Sequence, residues 1–352
     1  MRNSDLTFKR KDNLKLYPIH RMLAADYLFF YAIKVLFLTQ VKELSVSDIV
    51  IGTACYGIFS VLAQIPSTIL VDKYGEKKGI IIGDSLLVIT LLITLICDNL
   101  FLLIIRSVTD ALAFGIKHIA EGGMLNKSIP ETEKKNRIFA RIDGKGLGDY
   151  YYLAAISAVI AGALFTINGY IPMFLSLLST GIALRLAFLF EDIEQKETKA
   201  EKKHKEEKIT ERYKDYLADL KLAFGFIFTS KRLKALMLFS GVMYGLIHVM
   251  STYEIGLLEE LQVSALAVGI ISAIMQIISG MAAKKQQKFH NKYRNKSLTI
   301  IGLTYTTAIL LAGIFALTML PYYLVVGIIV LSYAVRNIGH GFYYVLIKKI
   351  FS

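Results

Sequence analysis

Arg106 and Asp110 stand four residues apart inside the apolar stretch 99–121, and their types and spacing could do chemistry. Residues i and i+4 of a helix share one face. A guanidinium and a carboxylate so placed can neutralise each other, or can line a path for a proton or a polar ligand. Arg106 lies about 10 Å into the stretch and Asp110 about one turn deeper. Ionisable groups at such depth in an apolar helix are costly and face a cavity or a partner. Little else points to chemistry. None of the six His residues has another His four positions on, a spacing that could hold zinc. Gly144-Lys145-Gly146 is a fragment of a phosphate-cradling loop without the required spacing, so ATP-driven work has no support. Cys55 and Cys97 both lie in apolar runs and suggest neither a disulfide framework nor a metal site. No metal, no cofactor and no enzymatic activity are expected.

The elements that must position these residues are membrane helices. Of 352 residues, 55% are hydrophobic, with 20 Tyr, 20 Phe, no Trp and a mean hydropathy of +0.51. The apolar runs are long enough to cross a hydrocarbon core of about 30 Å as helices. Ten are predicted, at 17–39, 48–71, 79–97, 99–121, 142–166, 169–189, 234–257, 262–282, 298–319 and 322–346. The first follows a polar tail and has no small-residue cleavage site, so it is not a signal peptide. Barrel strands would alternate apolar and polar residues, and these runs do not. A soluble enzyme is thereby excluded. Nucleic-acid binding is not expected despite the net charge of +13, because the place of the charge matters more than its sum.

That place is orderly. Of 41 Lys and Arg, 33 fall in the tail through Arg21 and in 72–78, 125–141, 191–232, 283–297 and 346–352, while the alternate set of segments holds only Lys42. The positive-inside rule puts both termini in the cytoplasm. The segment 191–214 balances eight acids against eight bases and reads as a solvated linker. After it, Tyr213, Tyr216, Leu217, Leu220 and Ala223 recur at helical spacing, as in a helix lying along the membrane surface. The organisation expected is a six-helix bundle over 1–190, a cytoplasmic linker with an interfacial helix over 191–232, and a four-helix bundle over 233–352.

Between the second and third runs stands Leu70-Val71-Asp72-Lys73-Tyr74-Gly75-Glu76-Lys77-Lys78, preceded by Pro66 and Thr68. Gly75 permits a tight turn with a positive backbone angle, and Asp72 can accept from a helix N-terminus or pair with a base. The loop resembles the Gly-x-Leu-x-Asp-Arg-x-Gly-Arg-Lys motif of the major facilitator superfamily, at the position where that family carries it. Leu70, Asp72, Lys73, Gly75 and Lys77 fit, and Lys78 adds a further base. Thr68 replaces the first Gly, and Glu76 replaces a basic residue. The family's Arg of span four is matched by Arg106, with Asp110 where a Gly would stand. The Gly-Pro pair of the family's antiporters is absent from span five, which offers Gly144, Gly146 and Gly148 instead.

The resemblance implies an all-α, polytopic, two-bundle fold with about ten transmembrane helices, six and then four, in a bacterial plasma membrane. The family has twelve, so the chain is expected to lack the last two. In the family, spans one, four, seven and ten line the substrate cavity. Carried over, this makes Asp26, Arg106, Asp110, Tyr244, His248, Arg336 and Asn337 the candidate substrate or proton path. Leu70, Asp72, Lys73, Gly75, Lys77 and Lys78 become the conformational loop. The function implied is secondary active transport of a small molecule by alternating access, coupled to protons or another ion and directed to efflux. The partners are then the substrate, the coupling ion and the lipid bilayer. The rival reading is a shortened member that does not transport. From depth alone, Glu254 falls near the outer end of span seven, where water can solvate it.

Overall fold

The computed structural model describes residues 2–133, 135–193, 218, 225, 229, 231–317 and 321–351. Among them there is no β-strand. The helices are α1 (Arg2–Ala24), α2 (Phe30–Leu36), α3 (Val46–Leu62), α4 (Gln64–Tyr74), α5 (Glu76–Ile96), α6 (Leu100–Ser128), α7 (Lys135–Ile167), α8 (Tyr170–Phe188), α9 (Lys231–Glu260), α10 (Ala265–Tyr293), α11 (Ser297–Ala316) and α12 (Tyr322–Phe351). Each of the ten apolar runs is therefore helical over most of its described residues. Six single helices are long and apolar enough to cross a membrane, and a seventh span follows if α3 and α4 count as one. The expected interfacial helix falls almost wholly outside the described residues.

Two runs are not the single helices expected. The first breaks at residues 25–29, between α1 and α2. Asp26 turns its carboxylate back to accept the backbone N–H of Tyr27 at 2.7 Å, and Phe29 takes a φ of 61°. A short acidic side chain that binds its neighbour's backbone competes with the helical ladder. Asp26 thus lies in a break and not on a continuous helix face. The second run bends by 50° between α3 and α4. Pro66 causes this, since it has no N–H to donate and its ring would collide with the carbonyl four residues back, that of Leu62.

The chain divides into two compact units. The first comprises Met1–Tyr27, Ile51–Tyr150 and Ser176–Phe239; the second comprises Leu28–Val50, Tyr151–Leu175 and Ser240–Ser352. In the first, Tyr17, Val71, Ile80, Ile116, Ala120, Met124, Leu125, Ile129, Ala187 and Phe190 form one buried cluster. In the second, Ala32, Ala155, Ala158 and Ala273 pack together, where α7 and α10 cross closely. A Cβ on Gly162 would come within 2.5 Å of the Ala265 carbonyl, and one on Gly269 within 2.4 Å of the Ala158 carbonyl. Small residues that admit such backbone approach are how helices gain van der Waals contact in lipid, where the hydrophobic effect does not drive them together. Large apolar side chains such as Leu178, Leu303 and Leu331 remain more than 60% exposed on the protein surface. On a membrane helix such side chains meet acyl chains and carry no penalty.

Candidate functional site

In the first unit, α6 carries Arg106 and Asp110 inward, with 3% and 6% of their surfaces exposed. α6 begins cleanly because the Asn99 side chain caps it, accepting from the Leu102 N–H at 2.9 Å. The Arg106 guanidinium approaches Asp110 Oδ2 at 3.5 Å and donates through Nε to the Thr94 hydroxyl of α5 at 3.2 Å. The other carboxylate oxygen, Asp110 Oδ1, accepts the Tyr27 hydroxyl at 2.6 Å. Tyr27 itself is buried, its ring edge against Phe114 at 5.9 Å between centroids. The carboxylate is thus satisfied on both oxygens, by a cation and by a neutral donor. Tyr27 follows Asp26 directly, so the break that separates Asp26 from a helix face is also what delivers the phenol to Asp110.

In the second unit, α9, α11 and α12 surround a cavity of about 450 Å³, closed on one side by Val46 and Ser47. Its charged lining comprises Glu254 and Glu260 of α9 and Arg336 of α12, and Glu254 and Arg336 form an ion pair. Arg336 also donates to the Tyr305 hydroxyl of α11 at 3.3 Å, and its guanidinium lies 5.6 Å from the centre of that ring. Tyr333 donates from its hydroxyl to the Glu254 backbone carbonyl at 3.2 Å. The Glu254 and Arg336 side chains are 13% and 6% exposed. Glu254 is therefore a buried partner and not a solvated surface acid, as its depth alone had indicated. The remaining wall is largely apolar, with Met250, Leu257, Ala308 and Ile309. Asn337 stands beside Arg336 but points elsewhere. Its amide N–H₂ donates to the Tyr333 carbonyl at 2.8 Å, and its Oδ1 accepts the Ser279 hydroxyl of α10 at 3.1 Å. It ties two helices together. Tyr244 and His248 lie on α9, and their side chains fall outside the described residues.

The loop residues span the end of α4 and the start of α5. Gly75 has a φ of 87° and its N–H closes α4 onto the Val71 carbonyl at 2.8 Å. The same residue caps α5, so the chain reverses over one position. Leu70 packs against the buried cluster of the first unit. Asp72, Lys73 and Lys78 are exposed, and Lys77 is half-buried. Glu76, the acid where the motif has a base, pairs with Lys127 at the end of α6 at 2.6 Å. The departure from the motif is compensated across the bundle. Among the described residues no group of three or more His, Cys, Asp or Glu side chains could hold a metal ion.

Sequence reasoning placed Arg106, Asp110 and Arg336 in polar surroundings, and overlooked Tyr27, Thr94 and Tyr305. Tyr and Thr inside apolar helices carry a hydroxyl that needs a partner when buried, and that is the signal that could have found them.

Apolar helices of membrane length with compensated ion pairs between them define an all-α polytopic membrane protein. The sequence model of the Major Facilitator Superfamily matches residues 22–351, and the chain belongs to that superfamily. No curated protein sequence matches it. Among solved structures, the nucleoside transporter NupG has a TM-score of 0.67 at 14% identity, over 97% of this chain and 82% of its own. A POT family transporter in complex with a thioalcohol-conjugated peptide has a TM-score of 0.60 at 14% identity, over 97% of this chain and 82% of its own. A bacterial homolog of the human lysosomal transporter Spinster, inward-facing and unoccupied, has 0.58 at 14% identity, over 97% and 73%. At these identities the likeness is one of fold.

Proposed function

We propose that this chain is a secondary active transporter that carries a small molecule across the plasma membrane of a bacterium by alternating access, coupled to protons and working outward. The observation that carries the reading is the cavity of about 450 Å³ that the Glu254–Arg336 pair lines. Small-molecule sites occupy about 300–1,000 Å³, mostly apolar, with a few polar groups that fix orientation. A salt bridge in such a wall can exchange its internal partner for a charged group on a ligand. The buried Arg106–Asp110–Tyr27 group supports the reading further, since an intramembrane carboxylate with two different partners can trade one of them for a proton. The outward direction rests on a resemblance to drug-efflux members of the family and not on the loop, which carries no direction.

The test is transport by the purified chain in proteoliposomes. Compounds that raise the melting temperature of the detergent-solubilised protein are offered to vesicles with an imposed pH gradient. Accumulation that follows the gradient and disappears in Arg336→Met supports the proposal. Compounds that bind yet never cross the bilayer would establish the rival, a member of the family that does not transport.

A further inference from the structure

A second set of ionisable side chains meets in the first unit, apart from Arg106 and Asp110. His20 of α1 is fully buried, and each of its ring nitrogens faces a carboxylate. Nε2 lies 2.7 Å from Asp84 Oδ2 of α5, and Nδ1 lies 3.4 Å from Glu121 Oε1 of α6. Arg21 of α1 donates to Glu121 Oε2 at 2.6 Å and places its Nε 3.7 Å from Asp143 Oδ1 of α7. The same Asp143 oxygen accepts the Tyr17 hydroxyl at 3.0 Å. Lys117 of α6, also fully buried, has its ammonium 3.9 Å from Glu121 Oε1 and 5.2 Å from the centre of the Phe114 ring. His118, next to it, sets its ring against Phe114 at 5.6 Å. Phe190 closes the edge of the His20 ring at 5.3 Å. Asp84 is as buried as His20, and Glu121 is 1% exposed.

Two independent arguments favour a proton here. A neutral imidazole has one donor and one acceptor nitrogen. With its one donor spent on Asp84 at 2.7 Å, a neutral ring would leave the Nδ1 lone pair 3.4 Å from Glu121 Oε1, both of them buried and without a hydrogen-bond partner, and a proton on Nδ1 would turn that repulsion into an attraction. Charge leads to the same count. Among the fully buried groups Asp84 and Glu121 bring two negative charges and Lys117 one positive, so one further proton brings that core to neutrality, while Arg21 and Asp143 form a partly exposed pair of opposite charges at its edge. A net charge left buried at this site would be heavily penalised, because its attraction to partners no longer offsets its lost hydration.

We propose that the His20–Asp84 pair, with Glu121 on the far nitrogen, is a proton-binding site of this protein. The proton belongs to the pair as a unit. Solvent does not reach either member of the pair, so release requires the surrounding helices to part or a neighbouring polar group to relay the proton. Only the use of the proton, as the coupling ion, rests on the transport reading. The binding itself does not, and it is distinct from Asp26 and Asp110.

The test uses the full chain in lipid bilayers with isotope-labelled histidine and aspartate, read by solid-state NMR at neutral pH. One of the six histidines should carry protons on both ring nitrogens. That signal should vanish in His20→Gln, persist in His118→Gln, and collapse to a single protonated nitrogen in Asp84→Asn. A proton found on the Asp84 carboxyl beside a singly protonated His20 would also establish the site. A singly protonated His20 beside an ionised Asp84 in the wild-type protein overturns it. Should His20→Gln fail to fold, assignment through Asp84→Asn and the wild-type carboxyl signal still decides. No substrate is needed, so a silent transport assay and an empty proton site are separate failures.

Discussion

The Tyr27 hydroxyl donates to Asp110 at 2.6 Å across 83 positions of sequence. It occupies one oxygen of a carboxylate whose other oxygen faces Arg106. The phenol therefore holds Asp110 in place without adding charge, and the ion pair alone balances the electrostatics.

Asp110→Asn should destabilise strongly. The amide can still accept from Tyr27, so the change isolates the loss of charge and leaves Arg106 uncompensated at 3% exposure. Breaking one side of a buried pair costs about 3–5 kcal/mol. Tyr27→Phe removes a hydrogen bond to a charged group and should cost less, about 1.5–3 kcal/mol. Replacing Arg106 and Asp110 together by Leu should be milder than Asp110→Asn. Thermal unfolding of the detergent-solubilised variants gives this order directly, and a double replacement as harmful as the single one would contradict it.

Arg336→Lys should not rescue the second unit's site. Lysine keeps the charge but has neither the planar fork that reaches both Glu254 and Tyr305 nor the face that lies over the Tyr305 ring. Binding of any compound that stabilises the wild-type protein should fall by roughly ten-fold or more, equivalent to about 1.4 kcal/mol. Binding by Arg336→Lys at wild-type affinity would show that the guanidinium geometry plays no part.

The crossing of α7 and α10 should tolerate no side chain at its centre. Gly162→Val and Gly269→Val would each drive a Cβ to within 2.5 Å or less of a facing carbonyl. Overpacking of this kind typically costs about 1–3 kcal/mol, and here backbone must move. Gly181→Ala, which meets nothing within 4 Å, serves as the control, and its removal of a helix glycine is neutral or stabilising by up to about 1 kcal/mol. Equal melting temperatures for Gly162→Val and Gly181→Ala would remove the crossing as a packing constraint.

Both termini and the 191–232 segment should lie in the cytoplasm, since 33 of 41 basic residues fall on that side of the predicted topology. Reporter fusions after residue 232 and at the C-terminus should behave as cytoplasmic. An external signal from either would overturn the ten-span topology.

The helical runs were legible because a membrane helix depends on local composition alone. Backbone groups in lipid bond within their own segment, so a long apolar run is helical over most of its length, breaks such as that at 25–29 apart. The bend at Pro66 was not read in this way, since 48–71 was expected as a single span. The Gly75 turn could be read from one residue, whose φ of 87° other side chains rarely adopt. Arg106 and Asp110 were legible as a pair because four residues place them on one helix face.

What pairs across helices could not be read in this way. Glu254 lies 82 positions from Arg336, and counting its depth on its own helix suggested water. His20 lies 64 positions from Asp84, and neither suggested the other. Asp26 seemed to lie at mid-depth on a helix face until the break at 25–29 turned it back onto the chain and presented Tyr27 to Asp110. Sequence determined which segments are helices and which ionisable groups they must bury, since both follow from transfer of local residues into lipid. Tertiary structure decided which group meets which, because that depends on the rotation of each helix about its axis, and rotation is set by packing against neighbours distant in the chain.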